Sequence, residues 1–148
     1  DLVEMFHLLK SEQIAAYLFS FNPEPGTVME NAPRVPIART RRIQLVKNLI
    51  ESHDLKEEAI EFDDKGAIRS IDAPLELLDR VTNQGVAFMT DGCPDRQGEM
   101  ACNRPYGSYR PGEEFRDYPF LPQASDLEVI RGEMKLEEVT KTEASAVA

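Results

Sequence analysis

The chain has 148 residues, with 27 acidic against 17 basic side chains and a formal net charge of −10. That length supports one domain with its own core. The acidic balance argues against broad nucleic-acid binding, which needs a basic footprint, and against an anionic membrane surface as partner.

The first residue is Asp1, already inside a helix-like pattern, so the chain is expected to be the C-terminal part of a larger α/β protein. Leu2, Met5, Phe6 and Leu9 recur at i, i+3, i+4 and i+7 and predict one face of an amphipathic helix. Ile14–Phe21 (IAAYLFSF) is a short apolar run with aromatic content, expected as a strand buried on both faces of a parallel sheet. Asn22–Pro36 carries four prolines and one glycine and must be a loop. A second helix is expected over about Pro36–Ser52. Ile43, Val46, Leu49 and Ile50 would form its buried stripe, and Arg39, Arg41, Arg42 and Lys47 its wet face.

Ala59–Ile71 reads as strand, tight turn, strand. Pro74–Thr82 reads as a third helix with Asp72 as a cap and Leu75, Leu78 and Val81 inward. Gly85–Thr90 (GVAFMT) reads as another short strand that ends at Asp91-Gly92-Cys93. Helices alternating with short apolar strands over residues 1–90 are the pattern of βα units around a parallel sheet. The strands are too few for a closed eight-stranded barrel and suit half of one.

From Cys93 to Pro122 the composition changes. Five of the ten prolines and three of the four tyrosines fall here, with Arg96, Arg104, Arg110 and Arg116 but no lysine. A long loop of this kind in a compact domain is usually functional or disordered, and its aromatics favour order. Ser125-Asp126-Leu127-Glu128 reads as a capping box opening a last helix with Leu127, Ile130 and Met134 on one side. The expected organisation is a barrel part (1–90), a cysteine-containing loop extension (91–123), a C-terminal helix (124–139) and a flexible tail (140–148).

Chemistry concentrates in GCPDRQGEMACNRPYG, residues 92–107. Cys93 and Cys102 are the two cysteines of the chain, with eight residues between them. A secreted, disulfide-stapled domain would spread more cysteines along its length, so a reducing, cytoplasmic compartment is expected. Soft thiolates bind zinc or iron–sulfur clusters, but two cysteines at this spacing do not make a self-contained zinc site. A local disulfide and two packed thiols remain open readings, while C-x₈-C lacks the close spacing of known redox motifs. Arg104 and Tyr106, close after Cys102, are candidates to position a substrate or to pin the loop.

Asn22-Pro23-Glu24-Pro25-Gly26-Thr27 follows a strand, the place where parallel α/β folds bind ligands. Asn22 and Glu24 suit hydrogen bonding to a ribose or amino group, and a turn that merely leaves the strand is the plainer alternative. No Ser–His–Asp arrangement, P-loop or HExxH motif occurs.

FSFNPEPGTVMEN…PRVPIARTRRIQLVKNLIE resembles the C-terminal half of the barrel in biotin-synthase-like radical S-adenosylmethionine (SAM) enzymes. GVAFMTDGCPDRQGEMACNRPYGSYRPGEEFRDYPFLP resembles a narrower subgroup that includes the two-component lipoyl synthases. The resemblance covers nearly the whole chain. It implies an α/β fold: the C-terminal half of a (βα) TIM-type radical SAM barrel with a long Cys-containing loop and helix. It implies SAM and a [4Fe–4S] cluster as cofactors, a 5′-deoxyadenosyl radical, and sulfur insertion at an unactivated carbon. It implies Cys93 and Cys102 as ligands of an auxiliary iron–sulfur cluster, and Asn22, Pro23, Glu24, Gly26 and Thr27 as lining of the SAM or substrate pocket. A lipoyl-carrier protein or second synthase component would be the macromolecular partner. The CxxxCxxC ligands of the main cluster do not occur in this chain, so as given it is expected to be inactive alone. The alternative is a non-catalytic α/β interaction module with a structural cysteine loop.

Overall fold

A computed structural model of the chain describes residues 2–97, 100–102 and 116–140. Four α-helices, two short antiparallel hairpins and three 3₁₀ turns make up the described elements. Helix α2 (Ile37–His53) is the centre of the packing. Helix α1 (Leu2–Ser11), helix α4 (Ala124–Met134) and the 3₁₀ turn Val86–Phe88 all pack against it. Leu45, Val46, Leu49 and Ile50 of α2 are fully buried and meet Phe6, Phe88, Ile130 and Met134 in one core. Each such side chain contributes about 1.5–3 kcal/mol through removal of apolar surface from water.

Local chemistry sets the ends of these helices. Pro36 precedes α2, where a missing N–H costs nothing. Asp54 ends it in the left-handed region, φ 55°, and the Leu55 amide reaches back to Leu49 O at 3.1 Å. Helix α3 (Leu75–Gln84) ends at Gly85, φ 73°. A Cβ there would sit 3.0 Å from Pro122 Cδ, so both conformation and space require glycine.

The first hairpin pairs β1 (Ile60–Phe62) with β2 (Ile68–Ile71). Asp63 shapes its turn by accepting from the amides of Lys65 and Ala67 at 2.9 and 2.8 Å. Those two donors hold the Asp63 carboxyl below its ordinary range. The second hairpin pairs β3 (Cys93–Pro94) with β4 (Met100–Cys102). Among the described residues, parallel pairing is confined to two isolated bridges, Ile71 with Thr140 and Met89 with Tyr118.

Several sequence expectations need correction. Ile14–Phe21 is extended but is not buried on both faces. Ala16, Leu18 and Ser20 are half-buried, whereas Ala15, Tyr17 (45 %) and Phe19 (59 %) are exposed. This period of two is that of a strand covered on one side. No sheet partner pairs with it among the described residues.

In α1, Val3 and Phe6 face the core, while Leu2 and Met5 are exposed. The buried stripe therefore lies one residue round from the expected one. In α3, Leu78 and Val81 are inward and Leu75 is exposed, and Asp72 does not cap the helix. Gly85–Thr90 is a 3₁₀ turn followed by one bridge, not a strand.

The capping box of α4 is built two residues early. Gln123 is the N-cap, and its amide donates to Asp126 Oδ2 at 2.8 Å. Arg41, placed on the wet face of α2 by the sequence pattern, is completely buried. Among the described residues of 91–123 lie the β3–β4 hairpin and the return Arg116–Tyr118.

Candidate functional site

The site is built where Thr90-Asp91-Gly92 runs into the β3–β4 hairpin. Asp91 is its organising residue. Its Oδ2 accepts the Leu18 amide at 3.1 Å, and its Oδ1 pairs with Lys47 Nζ at 3.1 Å. From Ala15 to Ser20, the Leu18 amide is the one backbone group with a hydrogen-bond partner among the described residues. Asp91 therefore holds the extended run 14–21 against α2 at a single point.

Lys47 also pairs with Glu51 Oε2, one turn along α2, at 3.0 Å. Its side chain is 11 % exposed and its charge is shared between two carboxylates. A buried cation paired in this way avoids the desolvation cost of an isolated charge.

Two adjoining clefts open around this cluster. One, of about 600 Å³, is lined by Ile14–Tyr17, Met89–Gly92, Lys10 and Lys47 among others. The other, of about 250 Å³, includes Leu18, Gln44, Lys47, Asn48, Asp91 and Asp117. Lys47, Glu51, Val86, Met89 and Asp91 line both. Val86 and Met89 give both clefts apolar lining, and Lys47, Glu51 and Asp91 give both charged groups.

A buried polar network holds the far wall. Arg41 Nε donates to Glu133 Oε2 at 2.8 Å, and its Nη1 donates to Gln44 Oε1 at 3.0 Å and to the Arg116 carbonyl. Gln44 Nε2 donates to Asp117 Oδ1 at 2.7 Å and to Arg116 O at 3.0 Å, and Arg116 Nη1 reaches Thr40 Oγ1 at 3.0 Å. The Arg41 guanidinium lies 5.6 Å from the Tyr118 ring centre and 5.9 Å from that of Phe88. This network fastens the return strand Arg116–Tyr118 beside Phe88–Thr90. Tyr118 N donates to Phe88 O and Thr90 N donates to Tyr118 O, both at 2.9 Å.

The arginines at 39, 41 and 42 thus bind the protein's own chain, at the β1–β2 hairpin and in its C-terminal part. Arg42 donates to Met134 O and Ile68 O at 3.0 and 3.2 Å, and Arg39 to Gly66 O at 3.1 Å.

The residues singled out in the sequence separate into three groups. Cys93 and Cys102 are brought together by backbone register: they are directly opposite each other in the β3–β4 ladder. Asn22, Pro23, Glu24, Gly26 and Thr27 line neither cleft around Asp91. They form a self-bonded turn instead. Arg34 donates to Asn22 Oδ1, Thr27 Oγ1 to Glu24 O at 2.8 Å, and the Gly26 amide to Glu30 Oε2 at 2.7 Å, with Gly26 at φ 80°. Arg104 and Tyr106 lie outside the described residues, as do 141–148 of the expected tail.

Among the described residues, no group of three His, Cys, Asp or Glu side chains is placed to hold a metal. Two opposed cysteines supply half of a four-ligand set.

Sequence reading missed Lys47, Asp91 and Arg41 as organising residues. The i,i+4 pair Lys47–Glu51 and the i,i+3 pair Arg41–Gln44 were visible signals on α2. Their partners Asp91, Glu133 and Arg116 are 44, 92 and 75 residues away and carried none.

Comparison of the chain with protein-family models, with curated proteins and with solved structures gives no match. No helix among the described residues is long and apolar enough to cross a membrane.

Proposed function

We propose that the chain is the C-terminal part of a radical SAM iron–sulfur enzyme, with lipoyl-synthase-like sulfur insertion at an unactivated carbon. The observation that carries this reading is the register that sets Cys93 opposite Cys102, directly after Asp91-Gly92. The most specific part of the resemblance, GCP…ACNRPYG, therefore contains two cysteines that share one ladder position, the first of them immediately after the cleft-lining Asp91-Gly92. In this reading Cys93 and Cys102 are ligands of an auxiliary cluster completed from elsewhere, with Arg104 and Tyr106 as positioning residues.

The main [4Fe–4S] cluster and most of the SAM site belong to residues outside this chain. Asn22, Pro23, Glu24, Gly26 and Thr27 would reach the SAM or substrate pocket only in the complete protein. A lipoyl-carrier protein or second synthase component is the proposed macromolecular partner, in a cytoplasmic setting.

The reading is tested first by the coding sequence upstream of Asp1. CxxxCxxC within a few predicted strands is expected, and a stop codon or an unrelated domain there sinks it. In the complete protein, reconstituted anaerobically, Cys93→Ala with Cys102→Ala should lower bound iron. Unchanged iron removes the auxiliary cluster and leaves the barrel assignment standing.

A second reading, a non-catalytic interaction module, is favoured by one feature. Ile14, Tyr17 and Phe19 are exposed large apolar side chains, as are Leu2, Met5 and Leu8 on α1. Exposed apolar side chains of this kind suit an interaction surface where they adjoin one another. It predicts a complete protein that binds neither iron nor SAM.

A further inference from the structure

We infer that Cys93 and Cys102 form a reversible dithiol–disulfide pair that closes the β3–β4 hairpin. Sequence spacing leaves a local disulfide as one open reading among others, because eight residues separate the two thiols and redox motifs keep them much closer. The ladder removes that separation. Cys93 and Cys102 are Cα partners in an antiparallel pair, with Pro94 opposite Met100.

Directly opposed residues of such a ladder have Cα atoms about 4.5–5.5 Å apart and lie on the same face. Disulfides span Cα distances of about 4.4–6.8 Å. A directly opposed register position of this kind therefore falls within the Cα range that a disulfide spans. The register shift between Cys93 and Pro94 adds one residue, Ala101, on β4. A bulge of this kind fixes the pairing and increases local twist.

The rest of the fold anchors both ends of the segment that carries the pair. Upstream, Asp91 is held by Lys47 and by the Leu18 amide. Downstream, Arg116 and Asp117 are buried against Thr40 and Gln44. The ladder thus begins two residues after a fixed point, and ordering of this kind raises the effective concentration of one thiol at the other.

The exchange is balanced with oxidised glutathione as the oxidant. The thiolate of one cysteine attacks a glutathione sulfur and releases one reduced glutathione. The thiolate of the other then attacks the protein sulfur of the mixed disulfide and releases the second. Two protein thiols lose two electrons and two protons overall, and one glutathione disulfide is reduced to two thiols. The inference rests on the register alone, not on the radical SAM reading. Where that reading also holds, the disulfide and metal ligation are mutually exclusive states of one pair, since a cluster ligand must be a thiolate.

The chain contains no other cysteine, so one internal disulfide alone can form. The 148-residue chain is equilibrated with glutathione at graded ratios of oxidised to reduced form, with a chelator present. Acid quenching, alkylation and intact mass then count free thiols, glutathione adducts and linked chains. The same titration in concentrated urea measures loop closure without the ladder. The expected result is an internal disulfide whose equilibrium constant is at least tenfold higher in the native chain than in urea, equivalent to about 30 mV. An equal or lower constant, dominant glutathione adducts, or disulfide-linked dimers would each overturn the inference.

Discussion

Arg41 Nε lies 2.8 Å from Glu133 Oε2, and the arginine side chain is completely buried although its sequence pattern places it on the solvent face of α2. The ion pair joins the central helix to the last one across 92 residues. The same guanidinium also reaches the Arg116 carbonyl and the faces of two rings. One side chain thereby ties α2, α4, the 3₁₀ turn and the return strand beside the cleft.

Replacement of Arg41 should therefore be costly. Arg41→Met leaves Glu133 without its guanidinium partner and the Arg116 carbonyl bonded to Gln44 Nε2 but not to Arg41, and a loss of about 3 kcal/mol is expected. Arg41→Lys should also destabilise, because an ammonium cannot reproduce the planar fork that serves Glu133, Gln44 and Arg116 together. Adding Glu133→Gln to Arg41→Met should recover part of the loss by removing the stranded charge. Urea midpoints of the three variants measure this. A change within about 0.5 kcal/mol for Arg41→Met would remove the network from the account of stability.

Asp91 makes a different prediction, because its partner is backbone. Asp91→Ala takes away the acceptor of the Leu18 amide and one of the two acids facing Lys47. A loss of about 1–3 kcal/mol is expected. Amide exchange over Ile14–Phe21 should accelerate more than exchange over α2 or α4. Mass-resolved hydrogen exchange separates these segments, and unchanged protection at Leu18 would show that something else holds the run.

Tyr118 links stability to alkaline pH. Burial pushes its phenol above the ordinary value, against the pull of Arg41, and Asp126 and Glu133 push it further in the same direction. The neutral phenol is therefore favoured in the folded state. Its contribution is complete below the unfolded tyrosine value, about 10, and is lost as pH rises through the higher folded value. The ultraviolet absorbance of tyrosinate should show a late-titrating component in the native chain. Tyr118→Phe should remove that component and flatten the fall in urea midpoint above about pH 10. Persistence of the late component in Tyr118→Phe would assign it to another tyrosine.

Much of the helical framework was legible in the sequence for a local reason. Helix α2 and the hairpin Ile60–Ile71 are specified by apolar spacing, proline position and turn chemistry within a few residues of each element. Asp63 shows this most directly, since it builds its turn from the amides of Lys65 and Ala67. The same locality explains the errors. A period of 3.6 finds a helical face but not which neighbour covers it. Leu2 and Met5 matched the pattern as well as Val3 did, and packing against α2 selected Val3 and Phe6.

The sequence by itself determined the acidic surface, the punctuation by proline and glycine, and the concentration of both cysteines in one segment. Tertiary structure alone decided that Arg41 is core, that Asp91 is the anchor of Ile14–Phe21, and that Cys93 stands opposite Cys102. The physical reason is range. Caps, turns and periodic faces are interactions between residues a few positions apart. A buried ion pair, a carboxylate on a distant amide and a strand register join residues whose separation in the chain carries no trace of their partnership.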